Sequence, residues 1–130
     1  MPRLWLDDMR KPPFGYDLWA KTAKEAIKML EWYGVKPEGI EHCSLDHDLA
    51  EEHYEAEPTG YTLPPPLDRS KYKELTGYAV VEWMRDNKSW VREIHVHTLS
   101  MRGGADMMNE LRKHAPEGIV IKRVKPYTIG

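Results

Sequence analysis

Two aspartates, Asp7 and Asp8, follow the short run Leu4–Leu6, and a second acidic pair, Asp46 and Asp48, brackets His47 after another mostly apolar run. Carboxylates gathered without a counter-charge repel one another, and at least one is driven towards protonation. Asp7, Asp8 and Asp46, with Asp48 as a further ligand, would together offer an oxygen-rich site for a hard divalent cation. Mg2+ suits such donors and keeps waters that leave room for phosphate oxygens. His95 and His97 stand two apart on a predicted strand, so they share one face while Ile94, Val96 and Thr98 take the other. With His47 they offer general acid–base groups that titrate near neutrality. Alternatively they ligate Mn2+, Zn2+ or Fe2+, which accept imidazole more readily than Mg2+ does. The residues leave both roles open, beside the ordinary one of a core histidine bonded to a backbone carbonyl.

Groups suited to an anion lie close by in the sequence. Thr98 and Ser100 offer hydroxyls, and Gly103-Gly104 would let a backbone approach a ligand at a helix N-terminus, where negative charge is favoured. Thr76-Gly77 opens another helix in a similar way. A plain N-cap turn explains either element equally well, and the spacing of a P-loop is absent. Arg10, Lys11, Arg102 and Lys125 are candidate phosphate partners, each with the alternative of a solvated surface charge.

These residues need a scaffold, and the chain alternates short apolar runs with amphipathic segments, as in βα units around a largely parallel sheet. Strands are predicted at Arg3–Asp7, Asp17–Ala20, Ile40–Asp46, Arg92–Thr98 and Gly118–Val124. Helices are predicted at Thr22–Gly34, Thr76–Asn87 and Gly104–Ala115. In the first, Thr22 and Glu25 have capping-box spacing, Ala26, Ile27, Leu30 and Tyr33 form an apolar face, and Gly34 marks the stop. In the second, Ala79, Val80 and Trp83 point inward, and in the third Met107, Met108 and Leu111 pack. Pro12-Pro13 argues against a helix between the first two strands. Residues Glu51–Leu75 form a long insert with a proline triplet, the kind of loop that often acts as a lid. Four of the five strands end in polar residues. In an open parallel sheet, ligands bind outside the carboxyl ends of the strands, so the polar ends would converge on one edge.

At 130 residues the chain has the length of a single domain, 1–130, around one core. Its net charge of −2 gives no sign of a duplex-DNA surface or a polybasic membrane segment. The single cysteine, Cys43, allows no internal disulfide. With no leader pattern and no run long enough to span a membrane, a cytoplasmic protein is expected. Oligomeric state stays open.

The motifs taken together resemble a known pattern. Leu6-Asp7-Asp8 after the first strand, Asp46 ending the third, Thr98 ending the fourth and Val124-Lys125-Pro126-Tyr127 after the fifth are similar to the receiver domain. That resemblance implies a flavodoxin-like five-stranded parallel sheet in the order 2-1-3-4-5. It makes Asp7 and Asp8 the acidic pair that binds Mg2+, Asp46 the phosphoacceptor position, and Thr98 and Lys125 the phosphate contacts. Several features depart from it: the first helix is replaced by Met9–Tyr16, a last helix is missing, and the insert is foreign. His47, Asp48, His95 and His97 are not receiver hallmarks. With "LDDMR", "SLDHDL", "TGY" and "HVHT" combined, the chain more closely resembles the receiver-derived group that processes cyclic phosphates, associated with phage, RNA-repair and nucleotide-signalling contexts. This implies a metal-dependent phosphoesterase acting on a cyclic nucleotide or a 2′,3′-cyclic phosphate RNA end. Mg2+ or Mn2+ is its expected metal, with Zn2+ or Fe2+ as alternatives. In that reading Asp7, Asp8, Asp46 and Asp48 hold the metal, and His47, His95 and His97 move protons. Asp46 is also the nucleophile of a covalent variant, while Thr98, Ser100, Lys125, Arg10, Thr76 and Gly103 contact phosphate. The rival readings are a phosphoacceptor switch, a nucleotide-binding protein without turnover, and an interaction module.

Overall fold

The computed structural model describes residues 2–35, 38–50, 52–53 and 69–125. Five strands, β1 (Arg3–Leu6), β2 (Leu18–Ala20), β3 (His42–Leu45), β4 (Glu93–Val96) and β5 (Val120–Arg123), form one sheet in the order β2-β1-β3-β4-β5. Every pairing is parallel, which agrees with the receiver-like arrangement. Among the described residues, three complete helices, α1 (Ala23–Tyr33), α2 (Tyr78–Asn87) and α3 (Met101–His114), join the strands, and a short 3-10 turn spans Arg69–Lys71.

The two faces of the sheet differ sharply. Side chains alternate along a strand, and Leu4, Leu6, Cys43, Leu45, Ile94 and Val96 point to a face that all three helices cover. The opposite face carries Arg3, Trp5 and Asp7 on β1 and its end, His42, Ser44 and Asp46 on β3, and Glu93, His95 and His97 on β4. No helix joins β1 to β2. The segment between them instead lays the Tyr16 ring edge-on against Trp5, 5.2 Å between centroids.

Each helix begins for a local reason. The Thr22 hydroxyl accepts from the Glu25 N–H to cap α1, and Gly34 at φ +78° ends it. Buried Ala23, Ala26 and Leu30 form the face of α1, whereas Tyr33, expected inward, is exposed because it falls on the last turn. In α2 the buried face is Val80, Val81 and Met84, with Ala79 and Trp83 only half-buried. The buried face is turned from the expected Ala79, Val80 and Trp83 because the adjacent Val80-Val81 pair, followed by Met84, is what packs against the core. Helix α3 starts three residues earlier than predicted, capped by Ser100, whose hydroxyl accepts from the Gly103 N–H at 2.9 Å. Gly103 and Gly104 therefore lie inside the helix. Of the Glu51–Leu75 insert, expected to act as a lid, only residues 52–53 and 69–75 are described. His53 ties the two ends of the insert together, accepting from the Leu49 N–H at 2.8 Å and donating to the Glu74 carbonyl at 2.9 Å.

Candidate active site at the strand ends

Backbone pairing continues one residue past each central strand. Asp7 N–H donates to Ala20, Asp46 N–H to Leu6 and His97 N–H to Leu45, at 3.0, 3.0 and 2.9 Å. The sheet ladder thus sets Asp7, Asp46 and His97 side by side on its polar face. Their ligand atoms lie within 4.8 Å of one another, and all three are buried.

Asp7 organises the turn that follows it. Its Oδ1 accepts from the backbone N–H groups of Met9 and Arg10, at 2.9 and 2.8 Å. Two tryptophans pin the same turn: the Trp5 indole N–H donates to the Arg10 carbonyl at 2.8 Å, and that of Trp19 donates to the Asp7 carbonyl at 2.7 Å. So held, the Arg10 guanidinium turns back to Asp7 Oδ2 at 3.2 Å and Asp46 Oδ2 at 3.5 Å. One fixed cation therefore serves two buried carboxylates.

His97 is equally constrained. Its ring stacks on Trp5 with 3.9 Å between centroids and 3° between planes. Nε2 lies 3.1 Å from Asp7 Oδ2, and Nδ1 lies 2.8 Å from the Ser44 hydroxyl. An ionised carboxylate only accepts, so Nε2 carries the proton and Nδ1 accepts from Ser44. Burial lowers the His97 pKa against the opposing pull of Asp7, which keeps the imidazole neutral. Burial alone would raise the Asp7 carboxyl, but donation from His97 and from the Arg10 and Met9 N–H groups leaves it lowered. Asp46 behaves oppositely. Burial, then the Asp7 charge, pushes it up to about 7, although the Thr98 hydroxyl, the His47 N–H and Arg10 pull it down. Two carboxyl groups in one site with pKa values driven apart are the arrangement that acid–base chemistry uses.

The remaining predicted residues divide around this trio. Thr98, buried, reaches Asp46 through its hydroxyl and also accepts from the Ser100 N–H at 3.1 Å. Ser100 is occupied as the α3 cap. Asp8, half-buried, adjoins Asp7 but stands outside the converging set of ligand atoms. His47 and Asp48 turn towards α3 instead. His47 Nδ1 donates to Asp48 Oδ1 at 2.6 Å, and its Nε2 accepts from Arg69 Nε at 3.2 Å, so both ring nitrogens are engaged. Burial lowers the His47 pKa despite Asp48. Gly103 is the counterpart of this ring: a Cβ on it would lie 2.3 Å from His47 Cγ. Its backbone N–H is already donated to Ser100. Thr76 is buried, and Gly77 beside it allows the Asp46 carbonyl to pass where a Cβ would sit at 1.8 Å. Lys125 is exposed, one residue beyond Val124, whose N–H reaches the Val96 carbonyl at 2.9 Å.

His95 is separated from His97. Its ring meets Glu93 at 2.7 Å and packs edge-on against His42, 4.4 Å between centroids. The shared face was correctly read from the spacing, but two residues along a strand move a side chain roughly 6–7 Å. Sequence reasoning passed over Trp5, Ser44, Trp19 and Arg69. Trp5 and Ser44 stand two before Asp7 and Asp46, so strand alternation was the signal for both. Trp19 and Arg69 come from segments whose approach only the fold determines.

The donor set fits a divalent cation. Asp7 and Asp46 supply hard carboxylate oxygens of the kind Mg2+ and Mn2+ accept, with the His97 imidazole beside them. No helix among the described residues is long and apolar enough to cross a membrane. Comparison with curated proteins and with solved structures gives no match. The family model described as the cyclic-phosphate processing receiver domain matches residues 2–113, most of the chain, including Asp7, Asp46, His97 and Thr98. The chain belongs to the cyclic-phosphate processing receiver domain family.

Proposed function

We propose that this protein is a metal-dependent phosphoesterase that opens a cyclic phosphodiester, either a cyclic nucleotide or a 2′,3′-cyclic phosphate RNA end. The observation that carries the reading is the convergence of Asp7, Asp46 and His97 beside Arg10 and Thr98 at the carboxyl edge of the sheet. Asp7 and Asp46 would hold a divalent cation, Mn2+ or Mg2+ foremost. When bound it supplies positive charge beside the phosphoryl oxygens and acidifies water.

The protein groups have distinct tasks. With Asp7 engaged by a cation, the His97 proton would pass to Nδ1, which donates to the Ser44 hydroxyl, and Nε2 would present its lone pair to the attacking water. His97 takes one proton from the attacking water as its oxygen bonds to phosphorus. The bond to one ribose oxygen breaks, and that oxygen receives the proton from the imidazolium. Asp7, 3.1 Å from Nε2, stabilises the imidazolium between the two transfers. Arg10 and the Thr98 hydroxyl face the charge that builds on the phosphoryl oxygens. Met9 and Leu99, exposed on the two flanking loops, offer apolar surface to the nucleoside.

A phosphoacceptor switch is the second reading, favoured by the Thr98 hydroxyl on Asp46. The test is a panel of cyclic nucleotides and cyclic-phosphate RNA ends with Mn2+, Mg2+ or chelator, with products resolved by mass spectrometry. Asp46→Ala should lose both Mn2+ binding and ring opening. His97→Gln should keep Mn2+ and lose roughly 100-fold or more in rate, the scale of a general acid–base group. No turnover on any substrate, together with labelling of Asp46 by a small phosphodonor, would replace the hydrolase with the switch.

A further inference from the structure

A second set of ligating side chains occupies the opposite end of the same strands. His42 opens β3 and Glu93 opens β4, directly across from it in register. His95 follows Glu93 by two residues, so all three project from the face that the helices leave uncovered. His42 Nδ1 lies 3.4 Å from Glu93 Oε2, and His95 Nε2 lies 2.7 Å from that same oxygen. One ligand atom from each residue falls within 4.8 Å of the others. This set shares no residue with Asp7, Asp46 and His97.

We propose that His42, Glu93 and His95 form a binding site for a divalent transition metal, with Zn2+ the preferred ion. Two imidazoles and one carboxylate are a donor set that Zn2+ accepts, leaving a fourth position open. Three features support it beyond the ligand types. All three ligands stand on paired strands, which fix their spacing more tightly than loops do. The Tyr16 hydroxyl lies 2.7 Å from His42 Nε2, the nitrogen turned away from the metal position, and so orients the ring as an outer partner does. A cavity of about 450 Å3 adjoins the group, lined by His42 and Glu93 themselves together with Arg3, Glu41 and Arg92. The two arginines of this cavity suit an anionic fourth ligand.

Binding carries one local rearrangement. Arg3 Nη2 sits 3.3 Å from His42 Nε2. Coordination through Nδ1 places the ring proton on Nε2, which then donates to Tyr16, and Arg3 turns into the cavity towards Glu41. Removing the guanidinium should therefore favour the metal.

The test titrates metal-stripped full-length protein with Zn2+, following imidazole 15N resonances by NMR and affinity by calorimetry. His42 Nδ1 and His95 Nε2 should shift on binding. Glu93→Gln, at a partly exposed position, should weaken this site at least tenfold, Arg3→Gln should strengthen it, and Asp46→Asn should leave it unchanged. The proposal is overturned if Zn2+ leaves both ring nitrogens unmoved, or if Glu93→Gln binds at this site as tightly as the native protein. The wild-type resonances decide the matter even where a variant fails to fold.

Discussion

Replacing Asp46 by asparagine should stabilise the metal-free protein at neutral pH, by an amount that itself depends on pH. Asp46 is 1 % exposed. Burial and the Asp7 charge raise its carboxyl from an ordinary 3.8 to about 7. An acid whose pKa rises on folding binds its proton more tightly in the folded chain than in the unfolded one. Its contribution to stability is therefore fullest below 3.8, falls as pH rises to about 7, and is level above that. At roughly 1.4 kcal/mol per pKa unit, the gap between 3.8 and about 7 corresponds to about 4 kcal/mol at full ionisation. Asparagine keeps an oxygen for the His47 N–H, now 2.8 Å from Asp46 Oδ1, and carries no charge. The variant should match the native protein near pH 4 and exceed it by about 2–4 kcal/mol near pH 8. Urea unfolding in chelator across that range measures the difference, and subtraction cancels the histidines that titrate in the same window. Saturating Mn2+ should shrink the advantage, since about 2.7 kcal/mol accrues to a native site at a hundred times Kd. A difference that is flat with pH, or an Asp46→Asn protein less stable near pH 8, refutes the reasoning.

Gly77→Ala should abolish folding or cost well over about 3 kcal/mol in thermal melts, because its Cβ would lie 1.8 Å from the Asp46 carbonyl oxygen, which is backbone and cannot yield. Gly103→Ala should destabilise by about 1–3 kcal/mol despite the better helix former, because His47 is pinned on both nitrogens; a stabilised variant would mean that the ring has room. Ser44→Ala should cost about 1–2 kcal/mol of stability and lower the rate of ring opening, since His97 Nδ1 loses its partner; unchanged kinetics would remove Ser44 from the relay. For the native protein, buried His47 and His97 have folded pKa values lowered below 6.5. Their contribution to stability is complete above 6.5 and is lost as pH falls from there through the lowered values. The advantage of native protein over His97→Gln in urea unfolding should accordingly narrow on acidification.

The scaffold was legible because its signals are local. Apolar runs, the Thr22 cap, Gly34 and the Pro12-Pro13 break depend on neighbours in sequence, and they predicted five strands and three helices. The resemblance carried by Asp7-Asp8, Asp46 and Thr98 then implied the strand order that the sheet has. Parallel pairing makes strand ends coincide, so the meeting of Asp7, Asp46 and His97 was also readable as a tendency of polar strand ends.

The limits appear where a side chain must choose between directions. His47, expected to move protons, points to Asp48 and Arg69 because α3 starts at Met101 and brings Gly103 against its ring. His95 parts from His97 because strand rise separates them and Glu93 captures the nearer imidazole. Gly103-Gly104 reads as an anion cradle in one dimension, yet the fold uses both glycines for close packing. The sequence by itself determined which residue types stand at the strand ends and on which face. Only the tertiary structure decided which of them share a site, because that depends on distances between strands and on side-chain bonds made across them.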